Sequence, residues 1–266
     1  MSGLLRLPDS WLDQQIVVDV IGAGGTGSQV ADQLASLEAT LRVLGHPGLR
    51  VRIHDGDIVE SSNVGRQRFT RHDIGVNKAT ILTHRINAFY GLEWTADPSY
   101  VELHKETYLS SAAADGLVIT CVDQATFRAE LGKLFRREAT NALWLDLGNG
   151  DSQAQCVIGH LGVPNSTPRI PNIYDLFPEL EAMEQEDDQA PSCSAEEAIA
   201  RQPWPINRLV ATVAMEMLWN LIRSGQSDHH GQFLQTQPFT TSPLPVDETH
   251  WAMLGYSPKR SRKKPK

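Results

Sequence analysis

Within the first 54 residues, the pattern of hydrophobic and polar positions changes from that of a strand to that of a helix and back to that of a strand. An apolar-rich run at residues 16–21 has the length of a buried strand and leads directly into a glycine-rich turn at residues 22–27. A second strand is predicted at residues 49–54. Between turn and strand, apolar residues recur at a spacing of three or four and predict a helix with one buried face: Val30, Leu34, Leu37 and Leu41.

The alternation of helices and strands continues to residue 161. Such alternation is typical of parallel βα units, so we predict a Rossmann-like, doubly wound α/β fold with a mostly parallel sheet and helices on both faces. The last predicted strand could run antiparallel to its neighbour. The further elements, in the order helix, strand, strand, helix, strand, strand, are residues 75–90, 94–96, 116–121, 125–140, 143–147 and 153–161.

The composition changes after this alternation. Residues 162–192 are rich in proline and contain a dense group of acidic side chains, which predicts a mobile, exposed acidic crossover segment. Helices are predicted at residues 194–201 and 206–224, and the second is apolar enough to pack under the sheet. We therefore predict one domain over residues 1–245 and a C-terminal extension over residues 246–266 that ends in a disordered basic tail.

The 266-residue chain is 41% hydrophobic, which is sufficient for a sizeable core. No apolar run approaches the roughly 18 residues needed to cross a bilayer, and nothing at the amino terminus resembles a signal peptide. We therefore expect a cytoplasmic protein that does not contact a membrane. Three widely spaced cysteines and the lack of a C-x-x-C motif argue against a disulfide framework and against structural zinc.

The formal net charge of −8 is unevenly distributed along the chain. Residues 259–266 carry six positive charges and no acidic residue, which leaves −14 on the rest of the chain. An acidic body of this kind repels nucleic acid over most of its surface. We interpret the tail as a solubilising end and do not expect a nucleic-acid contact, although a contact with nucleic acid or an acidic partner is the alternative.

The glycine-rich turn has the spacing Gly-x-Gly-x-x-Gly and lies between a predicted strand and a predicted helix. Glycines let backbone N–H groups approach a phosphate, which the helix amino terminus also attracts. Asp55, at the end of the second strand, is suited to bind ribose hydroxyls. The turn predicts a nucleotide site but leaves NAD, FAD and ATP open, as well as a turn that only packs the helix. Its glycines are Gly22, Gly24, Gly25 and Gly27.

The residues after the second strand favour ATP among these nucleotides. A triphosphate needs cations that neutralise its oxygens and the departing pyrophosphate, whereas a dehydrogenase has little use for them. Each cation also has a simpler interpretation as a surface charge. The polar residues of this loop and of the next helix are Asp57, Asn63, Arg66, Gln67 and Lys78.

These motifs, in this order, resemble the ThiF/MoeB family, the prokaryotic relatives of ubiquitin-activating enzymes. The matching features are the glycine-rich turn, the Asp-x-Asp loop with its Ser-Asn-x-x-Arg-Gln, the Gly-x-x-Lys that ends at Lys78, and a later strand that ends at Asp123. The resemblance covers about residues 17–225. Around Cys193 and residues 201–207 the chain looks most like the ThiF-family protein of the PRTRC plasmid systems.

The resemblance implies an ATP-dependent adenylyltransferase that activates the C-terminal carboxylate of a small ubiquitin-like protein ending in glycine. In this interpretation Asp55 holds the ribose, while Arg66 and Lys78 contact the phosphates. Asp123 helps to place Mg²⁺, and its simpler alternative is to cap the following helix. The residues implied for the nucleotide site are Gly22, Gly24, Gly25, Gly27, Asp55, Asp57, Asn63, Arg66, Gln67 and Lys78.

Cys193 is the predicted nucleophile of a second step. It lies just before a predicted helix whose Ser194 and Glu197 form a capping box, and the positive end of that helix would favour the thiolate. By the resemblance, this thiol attacks the acyl-adenylate and forms a thioester or persulfide intermediate. An idle loop cysteine is the alternative.

The chain departs from the family pattern in three ways. The amino-terminal Arg-x-x-Arg-Gln segment, which in relatives reaches the partner subunit's ATP, is missing, and Arg6 is the nearest candidate. The usual Asp-Asn pair is Asp123-Gln124, and the two C-x-x-C zinc motifs are absent, so no zinc is expected. Relatives are homodimers, and the PRTRC resemblance implies a JAB-type peptidase as a cassette partner.

Two other functions stay open on the sequence alone. An NAD(P)-dependent oxidoreductase would share the turn and Asp55, but the sequence offers no proton donor paired to a hydride site and leaves Arg66 and Lys78 unexplained. The other is a non-catalytic nucleotide-binding scaffold whose basic tail contacts plasmid DNA or a DNA-binding partner.

Overall fold

The computed structural model of the chain describes residues 3–103, 109–180 and 204–257. Within these residues the backbone forms a large sheet, a small two-stranded sheet and the helices that cover them. The strands are β1 (Leu5–Arg6), β2 (Ile16–Ile21), β3 (Leu49–His54), β4 (Thr95–Asp97), β5 (Leu117–Thr120), β6 (Leu143–Asn149), β7 (Gln153–His160), β8 (Gln226–Ser227), β9 (His229–Thr236) and β10 (Phe239–Pro245). The α-helices are α1 (Gly25–Val43), α2 (Lys78–Tyr90), α3 (Ser110–Asp115), α4 (Ala125–Phe135), α5 (Ile173–Leu176), α6 (Trp204–Ser224) and α7 (Glu248–Met253).

The large sheet has the strand order β10-β9-β7-β6-β5-β2-β3-β4. Strands β2 to β6 are parallel, with Val20 of β2 opposite Ile53 of β3 on one side and Ile119 of β5 on the other. Strands β7, β9 and β10 extend this sheet in antiparallel fashion. Because β2, β3 and β5 are parallel neighbours, the loops that follow them meet at one edge of the sheet, as at the ligand crevice of doubly wound folds.

The core lies between the sheet and helices on both of its faces. Helices α1, α2 and α6 cover one face, and α3 packs against β2 and β5 on the other. The four apolar residues that predicted α1 are all buried, and β5 and β6 are buried along nearly their whole length, as expected for central parallel strands. The predicted Rossmann-like, doubly wound fold is confirmed.

Two segments for which the sequence predicts no buried face contribute to the core. Residues 162–180 are not simply an exposed connection, because Ile170 and three residues of α5 are buried against the core. The C-terminal extension is also part of the fold: α7 packs through Trp251, whose indole N–H donates to His230 of β9 at 2.7 Å. A few buried apolar residues hold each segment, and their spacing produces no extended periodic pattern in the sequence.

Several predicted features lie outside the described residues. They include Cys193, the helix at residues 194–201, most of the acidic group and the basic tail. Of the helices that the structure describes, none is long and apolar enough to cross a membrane.

Two buried histidines predict loss of stability in mild acid. Burial lowers the pKa of His230 and that of His160 to about 4, from 6.5 for an exposed imidazole. Below about pH 6.5 the unfolded chain therefore binds more protons than the folded one, and the free energy of unfolding falls as the pH drops towards 4. Each imidazole contributes about 1.4 kcal/mol per pH unit in this window.

The corresponding measurement is urea unfolding between pH 7 and pH 4. We expect His230→Gln, which keeps an acceptor for Trp251, to reduce the pH slope by about 1.4 kcal/mol per pH unit. The neighbouring His229 is more exposed, and His229→Gln is the control for replacing an imidazole by an amide in this strand. Equal slopes for His230→Gln and the wild type would show that His230 does not contribute to the loss of stability in acid.

Candidate nucleotide site

The glycine-rich turn is compact because two of its glycines occupy positions that other residues cannot. Gly22 has a φ of +92°, which disfavours any side chain, and its N–H donates to the backbone oxygen of His54 at 2.9 Å. A Cβ on Gly27 would lie 1.8 Å from the backbone oxygen of Gly22. The first turn of α1 can therefore pack directly on the end of β2, as a phosphate-binding turn requires.

Asp55 links the loop after β3 to this turn. Its carboxylate accepts the backbone N–H of Ala23 at 2.6 Å and that of Asp57 at 2.8 Å. Burial raises the pKa of Asp55, against the effect of these two hydrogen bonds and of the nearby Lys78 charge. The predicted ribose ligand thus lies against the glycine-rich turn, and each of its oxygens retains a further lone pair for a hydroxyl donor.

No side chain of the described residues caps the amino terminus of α1. The first helical N–H groups therefore face the turn without a side-chain acceptor, which is the arrangement that attracts an anion. The Thr26 hydroxyl lies 2.9 Å from Asn149 Oδ1 and 2.9 Å from Asn207 Oδ1, behind this helix end. Asn207, on α6, also packs against Gly25. Sequence reasoning missed this polar cluster, because three distant segments contribute one residue each.

Lys78, Asp57 and Tyr100 are joined by hydrogen bonds at the start of α2. Lys78 Nζ donates to Asp57 Oδ2 at 2.7 Å, and the Tyr100 hydroxyl donates to Asp57 Oδ1. Burial acts to raise the pKa of Asp57, but the hydrogen bonds from Lys78 and Tyr100 outweigh it and the pKa is lowered. The hydrogen bond to Asp57 raises the pKa of Tyr100 to about 12. Tyr100 was not among the predicted site residues.

Arg66 and Asp123 come from different loops and lie near each other. Burial lowers the pKa of Arg66, and the charge of Asp123 opposes that shift. Asp123 also acts electrostatically on Tyr100, together with Asp55 and Asp57, so the three carboxylates share one region. The predicted phosphate-binding and metal-binding side chains are therefore gathered at the carboxyl edge of the sheet.

Gln67 lies beside the turn. Its side-chain nitrogen is 4.0 Å from the position that a Cβ on Gly24 would occupy. The residue is only 7% exposed, and among the described residues no hydrogen bond reaches its Oε1 atom. A buried amide with a free acceptor beside a nucleotide-binding turn is suited to accept a donor from a ligand.

Arg128 fixes the loop that carries Asp123. Its guanidinium donates to the backbone oxygens of Val122 at 2.7 Å and Gln124 at 3.3 Å, the two residues that flank Asp123. It also donates to the buried carboxylate of Asp146 at 2.7 Å. Asp123 itself is exposed at this edge of the sheet. Arg128 thus fixes the backbone of this loop, while the Asp123 carboxylate is accessible to solvent.

The structure gives contacts for two further residues named by the sequence analysis, Asn63 and Arg6. The Asn63 side chain accepts the backbone N–H of Glu60 at 2.9 Å and so stabilises its own loop. Arg6 lies in β1 beside the carboxyl end of α6, roughly 27 Å along that helix from Asn207 at a rise of about 1.5 Å per residue. Cys193 lies outside the described residues. Cys156 is buried, and burial raises the pKa of its thiol to about 12, so it is not a nucleophile.

Comparison with known proteins shows which family the chain is related to. A model of the ThiF family matches residues 11–250. The chain belongs to the ThiF family. The resemblance inferred from the motifs is therefore confirmed. A search of curated protein sequences found no match.

Solved structures share the fold of this ThiF-family chain at low sequence identity. PaaA is 17% identical with a TM-score of 0.59, over 87% of this chain and 64% of PaaA. Escherichia coli MccB with ATP is 16% identical with a TM-score of 0.59, over 87% of this chain and 63% of MccB. MccB with AMPCPP and MccA is 16% identical with a TM-score of 0.58, over 92% of this chain and 65% of MccB. This chain thus spans less than two thirds of the length of these proteins.

The donor set of the ThiF-family site fits a nucleotide with Mg²⁺. The turn is open at Gly24, where a Cβ would meet no atom closer than 4.0 Å. Arg66 and Lys78 supply two cations from separate elements. Among the described residues, no three His, Cys, Asp or Glu side chains are grouped to hold a metal ion. Mg²⁺ is usually bound by one or two carboxylates together with substrate phosphates, so a single exposed carboxylate such as Asp123 suits it.

Proposed function

We propose that this ThiF-family protein adenylates the C-terminal carboxylate of a small ubiquitin-like protein that ends in glycine. In this reaction a carboxylate oxygen attacks the α-phosphorus of ATP, the bond to the β-phosphate breaks, and pyrophosphate leaves. One observation carries the proposal: Arg66, Lys78 and Asp123 gather from three elements at the sheet edge that holds the uncapped glycine-rich turn. The MccB structure with ATP supports the choice of nucleotide.

Each of these groups has a role in the proposed reaction. Asp55 holds the ribose, and the first turn of α1 holds a phosphate through backbone N–H groups. Arg66 and Lys78 stabilise the charge that moves onto the pyrophosphate as it leaves. Asp123 holds Mg²⁺, which supplies further stabilisation of the phosphate charge when it is bound.

Thioester formation on Cys193 is the second part of the proposal. The Cys193 sulfur would attack the carbonyl carbon of the acyl-adenylate, lose its proton and displace AMP. A covalent adduct formed by the wild type and absent from Cys193→Ala is the expected result, and an adduct that persists in the variant would contradict it. The homodimer, the JAB-type peptidase partner and the PRTRC context remain expectations drawn from the resemblance.

Pyrophosphate exchange tests the adenylation step. We expect ATP–pyrophosphate exchange that depends on a small ubiquitin-like protein ending in glycine. The matched control is the same partner with its C-terminal carboxylate converted to an amide, which cannot attack phosphorus and should abolish exchange. Equal exchange with the amidated and the unmodified partner would contradict the proposal. NADH binding that is tighter than ATP binding would also contradict it.

A further inference from the structure

The hydrogen-bonded chain of Tyr100, Asp57 and Lys78 connects three segments beside the proposed site. Lys78 is the first residue of α2, Asp57 follows β3, and Tyr100 follows β4. Lys78 binds one oxygen of the Asp57 carboxylate at 2.7 Å, and the Tyr100 hydroxyl binds the other. Asp57 is therefore engaged on both sides by side-chain donors from separate elements.

This pattern distinguishes Asp57 from its neighbour Asp55. Among the residues that the structure describes, Asp55 accepts hydrogen bonds from backbone N–H groups alone, and these hold it against the glycine-rich turn and the following loop. Asp57 accepts an ammonium and a hydroxyl, and these lower its pKa, so its ionised carboxylate is matched to the charge of Lys78. The contacts of Asp57 thus point to a role that acts through Lys78.

Lys78 needs such a partner because its side chain is long and almost buried. The residue is 7% exposed, and a buried ammonium without a countercharge tends to lose its proton. The four-carbon stem also has many rotamers, so one fixed acceptor selects a position for the ammonium. An ammonium has three donors, and the bond to Asp57 leaves two for phosphate oxygens.

Tyr100 is held by its hydroxyl and by a close contact of its ring with Gly56. A Cβ on Gly56 would lie 2.7 Å from the ring atoms Cδ2 and Cε2, so only glycine permits this packing. Tyr100 is otherwise 68% exposed, which means that few other contacts fix its ring. Gly56→Ala should therefore displace the ring towards solvent and leave the rest of the site in place.

We propose that Tyr100 is a positioning residue, which holds Asp57 so that Asp57 in turn holds the Lys78 ammonium where it can contact the phosphates. The proposal rests on the proposed adenylation function. Asp57 is then a partner of Lys78 and not a ligand of the nucleotide. Tyr100 and Gly56 are thereby added to the residues on which the reaction depends.

Kinetics of pyrophosphate exchange test this role. We expect Tyr100→Phe to lower kcat about tenfold, because small errors in the position of a catalytic charge are costly, and to change the KM for ATP less than about twofold. Gly56→Ala should reproduce this effect. In a Lys78→Ala background Tyr100→Phe should have no further effect, because its influence passes through Lys78.

A matched control comes from the same helix as Lys78. Tyr90 also has a hydroxyl hydrogen bond, to Ser36 at 2.9 Å on the exposed surface, so Tyr90→Phe removes a comparable contact and should leave exchange unchanged. A Tyr100→Phe variant with a tenfold higher KM and an unchanged kcat would overturn the proposal, since Tyr100 would then touch the nucleotide. An equal loss in the Lys78→Ala background would also overturn it.

A second measurement separates this proposal from the proposed function. In nucleotide-free protein labelled with ¹⁵N-lysine, the side-chain ammonium signal of Lys78 is assigned by its loss in Lys78→Ala. We expect Tyr100→Phe and Asp57→Asn to shift or broaden this signal, and Tyr90→Phe to leave it unchanged. An unchanged signal in Tyr100→Phe would refute the proposal that Tyr100 positions Lys78 through Asp57. If the signal shifts but the wild type shows no pyrophosphate exchange, the adenylation proposal is refuted and the positioning role of Tyr100 is retained.

Discussion

Replacing Arg66 or Asp123 by alanine is expected to lower partner-dependent pyrophosphate exchange about a thousandfold, or roughly 4 kcal/mol of transition-state stabilisation. In the proposed reaction both side chains act on phosphate charge that grows as pyrophosphate leaves, so their loss costs most in the transition state. The fold should be little affected, because Asp123 is exposed and Arg66 is partly exposed. We expect the free energy of unfolding to change by less than about 1 kcal/mol in either variant.

The same experiment can separate the two roles. Asp123→Ala should raise the Mg²⁺ concentration needed for half-maximal exchange, while Arg66→Ala should lower exchange at every Mg²⁺ concentration. The control is Arg68→Ala, two residues further along the same loop, where the guanidinium forms a surface ion pair with Asp32 at 2.9 Å. If Arg68→Ala lost as much activity as Arg66→Ala, general surface charge would be the cause and the site assignment would be wrong.

The nucleotide half of the fold follows from local patterns that the sequence displays directly. The buried face of α1 repeats every three or four residues, and β2 and β5 are rich in apolar residues because both of their faces are covered, although Asp19 interrupts β2. The spacing of the glycines in residues 22–27 likewise predicts a tight turn between strand and helix. Parallel topology then brings the ends of β2, β3 and β5 together, so the order of the strands along the chain is enough to assign Asp55 and Asp123 to one edge of the sheet.

The remaining parts depend on contacts between distant residues, which leave no local pattern. Strand β10 is exposed at all but one or two positions, and α7 is held by Trp251 on His230 of β9. Asn207 reaches the turn from α6 and Tyr100 reaches Asp57 from beyond β4. Asn63 shows that a motif residue can also have a local role, since its side-chain oxygen accepts the backbone N–H of Glu60 in its own loop.

Arg128 links the stability of the core to the geometry of the site. Its ion pair with Asp146 is almost fully buried, with side chains 9% and 1% exposed. Asp146 also accepts the Thr120 hydroxyl, which in turn accepts the indole N–H of Trp144 at 2.8 Å. The same guanidinium holds the backbone on both sides of Asp123. Loss of Arg128 should therefore have two separable consequences, one for folding and one for the position of the Asp123 carboxylate.

Arg128→Met is expected to lower the free energy of unfolding by about 3–5 kcal/mol, because it leaves the Asp146 carboxylate buried without a countercharge. The double variant Arg128→Met/Asp146→Asn removes both charges, keeps an acceptor for Thr120, and should regain roughly half of that loss. Urea unfolding gives these values, with Arg68→Met as the control for a surface ion pair and an expected cost below about 1 kcal/mol.

Exchange activity should not follow stability in the double variant. The carbonyl groups that flank Asp123 still lack their donor, so the loop remains unheld and the activity should stay at least about tenfold below the wild type. Full recovery of exchange together with stability would mean that Arg128 serves the core alone. A cost below about 1 kcal/mol for Arg128→Met would instead show that the buried charge of Asp146 finds another partner.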